Sequence, residues 1–324
     1  MGVFRYPQVD DWKYTLAEIK KQKIFFTDES SQRLDKFLAS TFLGHSRSKL
    51  QRLITEEYVL VNGKPPKKLG QLLKKGDCIE VAFPPDEPVN IIPEEIPLDI
   101  IFEDENVLVI NKPAGMVVHP SAGHSSGTLV HAVLAHLGRF EGYDGNQRAG
   151  IVHRLDKDTS GIIMIAKNEE SLKWLQHQFK IRETEKIYIA LVDGKPATSR
   201  GRIIAPLYRH PRNRKRMAIA PEGKGKNAET EYEVLHTFQR HTLLRVHPLT
   251  GRTHQIRVHL SSINNPVVGD RVYGLRNPSL PMNRFFLHAA EIEIRLPGKK
   301  NKTKFEAQLP ADLSQILEKL IAEE

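Results

Sequence analysis

An α+β fold is the class this sequence predicts: a mixed, largely antiparallel sheet flanked by helices and loops, preceded by a small α/β unit. Three observations predict it. Strand-like runs follow one another more often than they alternate with helices, which argues against a doubly wound parallel sheet. Five prolines crowd into Pro84–Pro97, a stretch that can neither complete a ladder nor continue a helix and therefore divides the chain. Finally, 324 residues with 40% hydrophobic and 27% charged content suffice for one large core and a smaller satellite.

Residues 1–30 form an extension without a readable pattern. From Arg33, the run RLDKFLASTF spaces Leu34, Phe37, Leu38 and Thr41 as a helix. SRSKLQRLITEE repeats the spacing with Leu50, Leu53 and Ile54, and Ser46 is a natural N-cap. YVLVNGKPP predicts a short strand and an Asn62-Gly63 turn, and GDCIEVAF a second strand. Residues 31–83 thus make the small unit, 84–97 the linker, and 98–324 the large domain. In that domain strands are expected at Val107–Asn111, Ile162–Lys167, Ile187–Val192, Arg216–Ala220, Thr230–His236, Thr242–His247, Ala290–Leu296 and Thr303–Leu309. Helices are expected at Thr128–Leu137, Glu169–Arg182 with Asn168 as N-cap, His254–Ser261 and Ala311–Glu323.

Composition narrows the function. The formal net charge is +9, and it is clustered: ten Lys or Arg against one acid over Lys195–Lys226, and ten against five over Ser31–Glu80. Two basic clusters on a basic chain point to a polyanionic partner. A single cysteine, Cys78, leaves no disulfide framework and no cysteine-based zinc site. No signal peptide and no apolar run long enough to span a bilayer are evident, so a cytoplasmic protein is expected. GHSSGT lacks the lysine of a P-loop, no GxGxxG follows a strand, and paired histidines stand five apart rather than four. No metal and no cofactor are expected.

The chemistry-bearing stretch is AGIVHRLDKDTSGIIMIAKN. Two apolar runs, at 150–152 and 162–166, read as buried strands, and His153, Arg154, Asp156, Lys157 and Asp158 lie between them. Charged groups are seldom buried unpaired. They therefore read either as a site on a loop held by the scaffold or as a structural ion pair beside an Asp/Thr/Ser turn; spacing alone leaves both open. A second cluster, TGRTHQIRVHL, sets Arg252, His254, Arg257 and His259 on a turn and helix. Arg257 could reach a carboxylate such as Asp156 and keep it ionised. His254 and His259 read best as members of a basic helix or as satisfied core histidines. Tyr188, alone in the strand KIYIALV, reads as strand packing or as a platform for a base.

HRLDKDTSG resembles the signature of the RluA-type pseudouridine synthases. GRTHQIRVH and VGDRVYG resemble that family's third motif, and EDENVLVINKPAGMVVHP its first. The likeness runs from about Pro97 to Pro310. Residues 31–83 are similar to the ribosomal-protein-S-four-like RNA-binding domain, and several segments are most like the RluD branch, which acts on large-subunit ribosomal RNA. The resemblance implies a cofactor-free isomerisation of uridine. It assigns the essential aspartate to Asp156, the tyrosine that packs on the target base to Tyr188, and the basic partner of the aspartate to Arg257. Arg154 becomes the arginine that helps displace the base. It also implies RNA or substrate contacts from His153, Thr159, Arg252 and His254, and from Arg47, Lys49, Arg52, Arg214 and Arg216 in the basic clusters. Ribosomal RNA, free or within an assembling particle, is the expected partner of a monomer. The alternatives are the same chemistry on transfer RNA, a non-catalytic RNA-binding protein, and a glycosylase-like hydrolase with Asp158 as a second carboxylate.

Overall fold

The computed structural model describes residues 20–45, 47–84, 91–120, 123–138, 149–213 and 216–324. Contacts divide the chain into two units, Met1–Glu87 and Pro88–Glu324.

In the first unit the elements run β1 (Lys20–Phe25), β2 (Gln32–Arg33), α1 (Leu34–Thr41), α2 (Arg47–Thr55), β3 (Val59–Val61), β4 (Leu72–Leu73) and β5 (Cys78–Phe83). β5 is the centre of an antiparallel sheet ordered β1-β5-β3, and β2 pairs with β4. Leu34 and Leu38 of α1 meet Leu50 and Leu53 of α2 over Ile79 and Val81 of β5, all buried. The expected turn closes β3: Asn62 and Gly63 have φ of 53° and 75°, the left-handed pair that Asn-Gly adopts most readily. The expected cap Ser46 lies outside the described residues.

The second unit contains β6 (Ile100–Glu103), β7 (Val107–Lys112), α3 (Leu129–Leu137), β8 (Ser160–Ala166), α4 (Glu169–Ile181), β9 (Glu185–Asp193), β10 (Arg200–Ile204), β11 (Leu207–Arg209) and β12 (Met217–Ile219). β13 (Glu229–Thr237), β14 (His241–Pro248), α5 (Gln255–Ser262), β15 (Leu287–Arg295), β16 (Lys302–Glu306) and α6 (Ala311–Ala322) complete it. Among the described residues one mixed sheet has the order β10-β13-β14-β9-β15-β8-β7-β6, with β16 also on β15, while β11 and β12 form a separate hairpin. Every pairing in the main sheet is antiparallel except β15 with β8. The expected α+β class, with a mixed and mainly antiparallel sheet, is what the chain adopts.

Burial explains the two sequence patterns. β8 is apolar and buried throughout because α3 covers one face of this half of the sheet and α4 the other. β14 alternates instead: Leu244 and Val246 pack toward α5 and α6, while Arg245 and His247 pair with Glu291 and Glu231 on the open face. Asn168 caps α4 as expected, its side chain accepting from the Ser171 amide at 2.8 Å. One expectation fails. Ile151-Val152 is not a strand; Ile151 makes a single bridge to Ile165, and the chain turns away as the loop that carries Asp156.

Candidate active site

The loop 153–159 is held from three sides. Leu155 is buried against the core of α3 and β7, and the Thr159 amide donates to the Asp156 carbonyl at 3.1 Å. Lys112, at the end of β7 and fully buried, donates from Nζ to the carbonyls of Pro113 (2.7 Å), Met116 (3.0 Å) and Lys157 (3.1 Å). It thereby ties the loop after β7 to the loop carrying Asp156. Burial lowers the Lys112 ammonium to about 8, against the opposing pull of Asp158. On the far side Arg284 donates from Nη1 to the Asp158 carbonyl at 3.2 Å and grips Asp312 of α6 at 2.7 and 3.1 Å.

Gly161 fixes where β8 starts. It has φ +109°, and a Cβ there would lie 2.2 Å from the Ala289 carbonyl oxygen. Only glycine lets β8 approach β15 closely enough for their parallel contact, Ser160 opposite His288 and Gly161 opposite Ala289. The TSG of the sequence therefore has a structural reason.

Onto this scaffold α5 brings Arg257. Its Nη1 donates to Asp156 Oδ2 at 2.9 Å. Its Nε and Nη2 donate to Asp270 at 2.6 and 2.9 Å, a two-pronged pair. The guanidinium also stacks on Phe285 and Tyr273, 4.2 and 5.1 Å from the ring centroids. The side chain of Arg257 is 5% exposed and that of Asp270 0%, whereas that of Asp156 is 17% exposed. Burial alone would raise the Asp270 carboxyl; Arg257 and the amides of Val272 and Tyr273 outweigh it and hold it below its usual range. Burial opposes the charge of Arg257, and its bonds to Asp270 and Asp156 restore and exceed it. One buried cation thus carries two anions, one sealed and one open. Asp156 Oδ2 is engaged, and Oδ1 makes no hydrogen bond among the described residues.

Tyr188 enters from β9, opposite Val246 of β14 and Ala289 of β15. It is half-buried, and its hydroxyl is raised by burial and then by the charge of Asp156, which keeps it protonated. His254 caps α5 with φ +56°; its Nε2 faces Asp156 Oδ2 at 3.9 Å and its Nδ1 lies 2.8 Å from the Tyr273 hydroxyl. Arg154 is exposed beside the same loop, close enough for its charge to act on His254.

Other candidates fall elsewhere. His153 points inward: Nε2 accepts the Met164 amide at 3.0 Å, the ring stacks on Phe179, and burial drives its pKa to about 3. Thr159 is buried. Arg252 donates to the Asn227 carbonyl at 3.0 Å. His259 is a satisfied core histidine between Thr230 and the Ala205 carbonyl. Arg216 stacks on Tyr273 at 5.3 Å, while Arg214 lies outside the described residues. In the first unit Arg47 donates to Asp35 at 2.9 Å and Arg52 faces Glu56 at 3.7 Å; Lys49 is half-buried on α2. Asp158 gives its backbone carbonyl to Arg284, and Asp270 is the acid that shares Arg257 with Asp156.

The residues that sequence reasoning passed over are Asp270, Tyr273, Lys112 and Arg284. The first two were visible in VGDRVYG, and Lys112 in NKPAG, as charged or aromatic residues beside turn glycines. Among the described residues no group of three or more His, Cys, Asp or Glu could hold a metal ion, and no helix is long and apolar enough to cross a membrane.

Comparison with known proteins identifies relatives of this chain. A family profile described as RNA pseudouridylate synthase matches residues 106–262, and one described as S4 domain matches residues 32–79. An uncharacterised RNA pseudouridine synthase of Aquifex aeolicus is 46% identical over 79% of this chain and 81% of its own. Ribosomal large subunit pseudouridine synthase D of Zymomonas mobilis is 40% identical over 93% of this chain and 97% of its own. Among solved structures, human RNA pseudouridylate synthase domain containing 4 is 25% identical with a TM-score of 0.53, covering 68% of this chain and 92% of that one.

Proposed function

This chain belongs to the RNA pseudouridylate synthase family, and from that premise we propose that it isomerises specific uridines of large-subunit ribosomal RNA to pseudouridine, with Asp156 as its catalytic carboxylate. The substrate is taken from relatives named ribosomal large subunit pseudouridine synthase D in Zymomonas mobilis, Yersinia pestis and Borreliella burgdorferi, which are 39–40% identical over 90–93% of this chain. The observation that carries the reading is the shared arginine: Arg257 is saturated on one side by Asp270 and presents Asp156 on the other.

The reaction breaks N1–C1′, turns the base, and joins C5 to C1′; N1 gains a proton and the C5 proton leaves to water. Uridine and pseudouridine are isomers, so no water is consumed and one carboxylate suffices. Hydrolysis of a glycosidic bond generally employs two, and the second acid near Asp156 is locked onto Arg257. Oδ1 of Asp156 faces the ribose, where it can attack C1′, balance its cationic character or take a ribose proton. Tyr188 stacks on the detached uracil and retains it. Arg154 helps bring the uridine out of its stack, which costs a few kcal/mol. Residues 31–83 bind RNA and residues 98–324 carry the chemistry, joined by 84–97; phosphate contacts from Arg47, Lys49, Arg52 and Arg216 supply salt-dependent affinity.

The test uses ribosomal RNA and transfer RNA tritiated at uracil C5. Forming C5–C1′ expels the tritium. Release from ribosomal RNA by the wild type and not by Asp156→Asn is the expected result. Release from transfer RNA alone overturns the substrate, and release of free uracil overturns the isomerisation.

A further inference from the structure

The hairpin of β11 and β12 packs against the site, and Arg212 stands exposed in its connecting loop. The Met217 amide of β12 donates to the Tyr273 hydroxyl at 2.7 Å. That hydroxyl lies 2.8 Å from His254 Nδ1, and His254 Nε2 faces Asp156 Oδ2 at 3.9 Å. The arrangement that uses every donor is directional. The Tyr273 oxygen accepts from Met217, so its own proton goes to Nδ1; the imidazole hydrogen then sits on Nε2, toward the carboxylate. The Tyr273 ring continues the connection, with Arg216, at the end of the loop that leads into β12, 5.3 Å from its centroid and Arg257 5.1 Å. Leu207 of β11 packs in the same small core as Tyr273 and Val258 of α5. His254 holds a left-handed backbone at φ +56°, unusual for a residue with a side chain, and the Tyr273 bond fixes where its ring points.

We propose that Tyr273 is a positioning residue that couples the basic hairpin to Asp156, through its hydroxyl to His254 and through its ring to Arg257. RNA seated on Arg216 thereby sets the orientation of the carboxylate, so binding and chemistry are linked by atoms rather than by proximity alone. The inference rests on the reading of Asp156 as the catalytic carboxylate.

Tyr273→Phe keeps the ring and both cation contacts and removes only the hydroxyl. With tritiated ribosomal RNA saturated by the full-length protein, its single-turnover rate constant should fall roughly ten- to a hundred-fold, the scale by which a displaced group slows an oriented reaction. RNA affinity should stay at its wild-type value and the variant should remain fully folded at the assay temperature by circular dichroism, so that the slower step at saturation is not loss of structure. Arg216→Ala should also slow the step at saturation, and combined with Tyr273→Leu, which removes both the hydroxyl and the ring, the double variant should be no slower than Tyr273→Leu alone. His254→Asn, which suits the left-handed backbone, should show the same loss. A Tyr273→Phe rate equal to wild type, or losses that multiply in the double variant, overturns the coupling. Wild type and Asp156→Asn run alongside: if the wild type releases no tritium, the proposed function itself is wrong.

Discussion

The N-terminal unit and the catalytic unit each set charged partners around a buried ion, and the two ions compared, Asp35 and Arg257, have opposite signs. In the first, Asp35 is 1% exposed and accepts from Arg33, Arg47 and Gln51, while the two arginine side chains remain 50% and 58% exposed. In the second, Arg257 is buried and holds Asp156 toward solvent. A buried anion presents cations suited to phosphate, and a buried cation presents an anion suited to a ribose. The difference lies in what seals the buried ion. Arg257 needs Asp270, an acid with no exposure at all, because a lone carboxylate at the surface would leave it undercompensated. Asp35 needs no such seal, since its partners bring two charges to one. Its carboxyl is held well below the usual range, first by the Arg33 hydrogen bond.

The comparison can be broken at each ion. The largest effect is expected at the open carboxylate: Asp156→Asn should cut tritium release at least about a thousandfold while RNA affinity, measured by filter binding, stays near wild type. Next is the seal. Asp270→Ala leaves Arg257 buried with one partner, and removing one member of a buried pair costs about 3–5 kcal/mol; urea unfolding should report that loss, with turnover falling alongside. Asp270→Asn, which keeps the shape and loses the charge, should recover packing but not turnover.

Acid separates the two units without mutation. Buried His153 has its pKa lowered to about 3, and burial also lowers His241, His247, His254, His259 and His288. All lie in the catalytic unit. A group with a depressed folded pKa contributes stability above its unfolded value and loses it as pH falls, so this unit should weaken by a few kcal/mol from pH 6.5 downward. Asp35, also depressed, keeps its contribution until pH falls below about 4. Calorimetry between pH 7 and 5 should show the catalytic transition moving to lower temperature while the N-terminal one stays; a parallel shift of both would break the distinction. The smallest effect is Asp35→Ala. Its arginines can rehydrate, so the stability cost should be about 1–3 kcal/mol. RNA affinity should fall and turnover at saturating RNA should not.

Local signals carried most of the fold, whereas the site residues were singled out by the family resemblance, since spacing alone left Asp156 and Tyr188 open. Asp156, Tyr188 and Arg257 stand on segments whose periodicity and turn residues are plain in the chain. What sequence hid was pairing at a distance. Asp270 serves Arg257 from a separate loop 13 positions on, a spacing with no helical meaning. β1 was unreadable because half of its residues KKQKIF are exposed lysines and its strand character comes from β5 alone, the pattern of a protected edge. β10 hid behind Gly201, whose missing side chain makes room for the Tyr232 ring. Ile151-Val152 was apolar for the opposite reason: it is buried without being a strand. Lys112 looked like a surface charge, and only three converging carbonyls explain it.

The distance between Asp156 and Arg257 also has a consequence in time. They are 101 positions apart, and β15, which sits between β9 and β8, comes later still. During synthesis at about 5–20 residues per second, the carboxylate therefore exists for roughly 5–20 s before its arginine. The sheet that aligns them stays open until β15 is made. With Asp156 as the proposed catalytic carboxylate, a nascent chain carries that group early and gains the arginine that orients it only later.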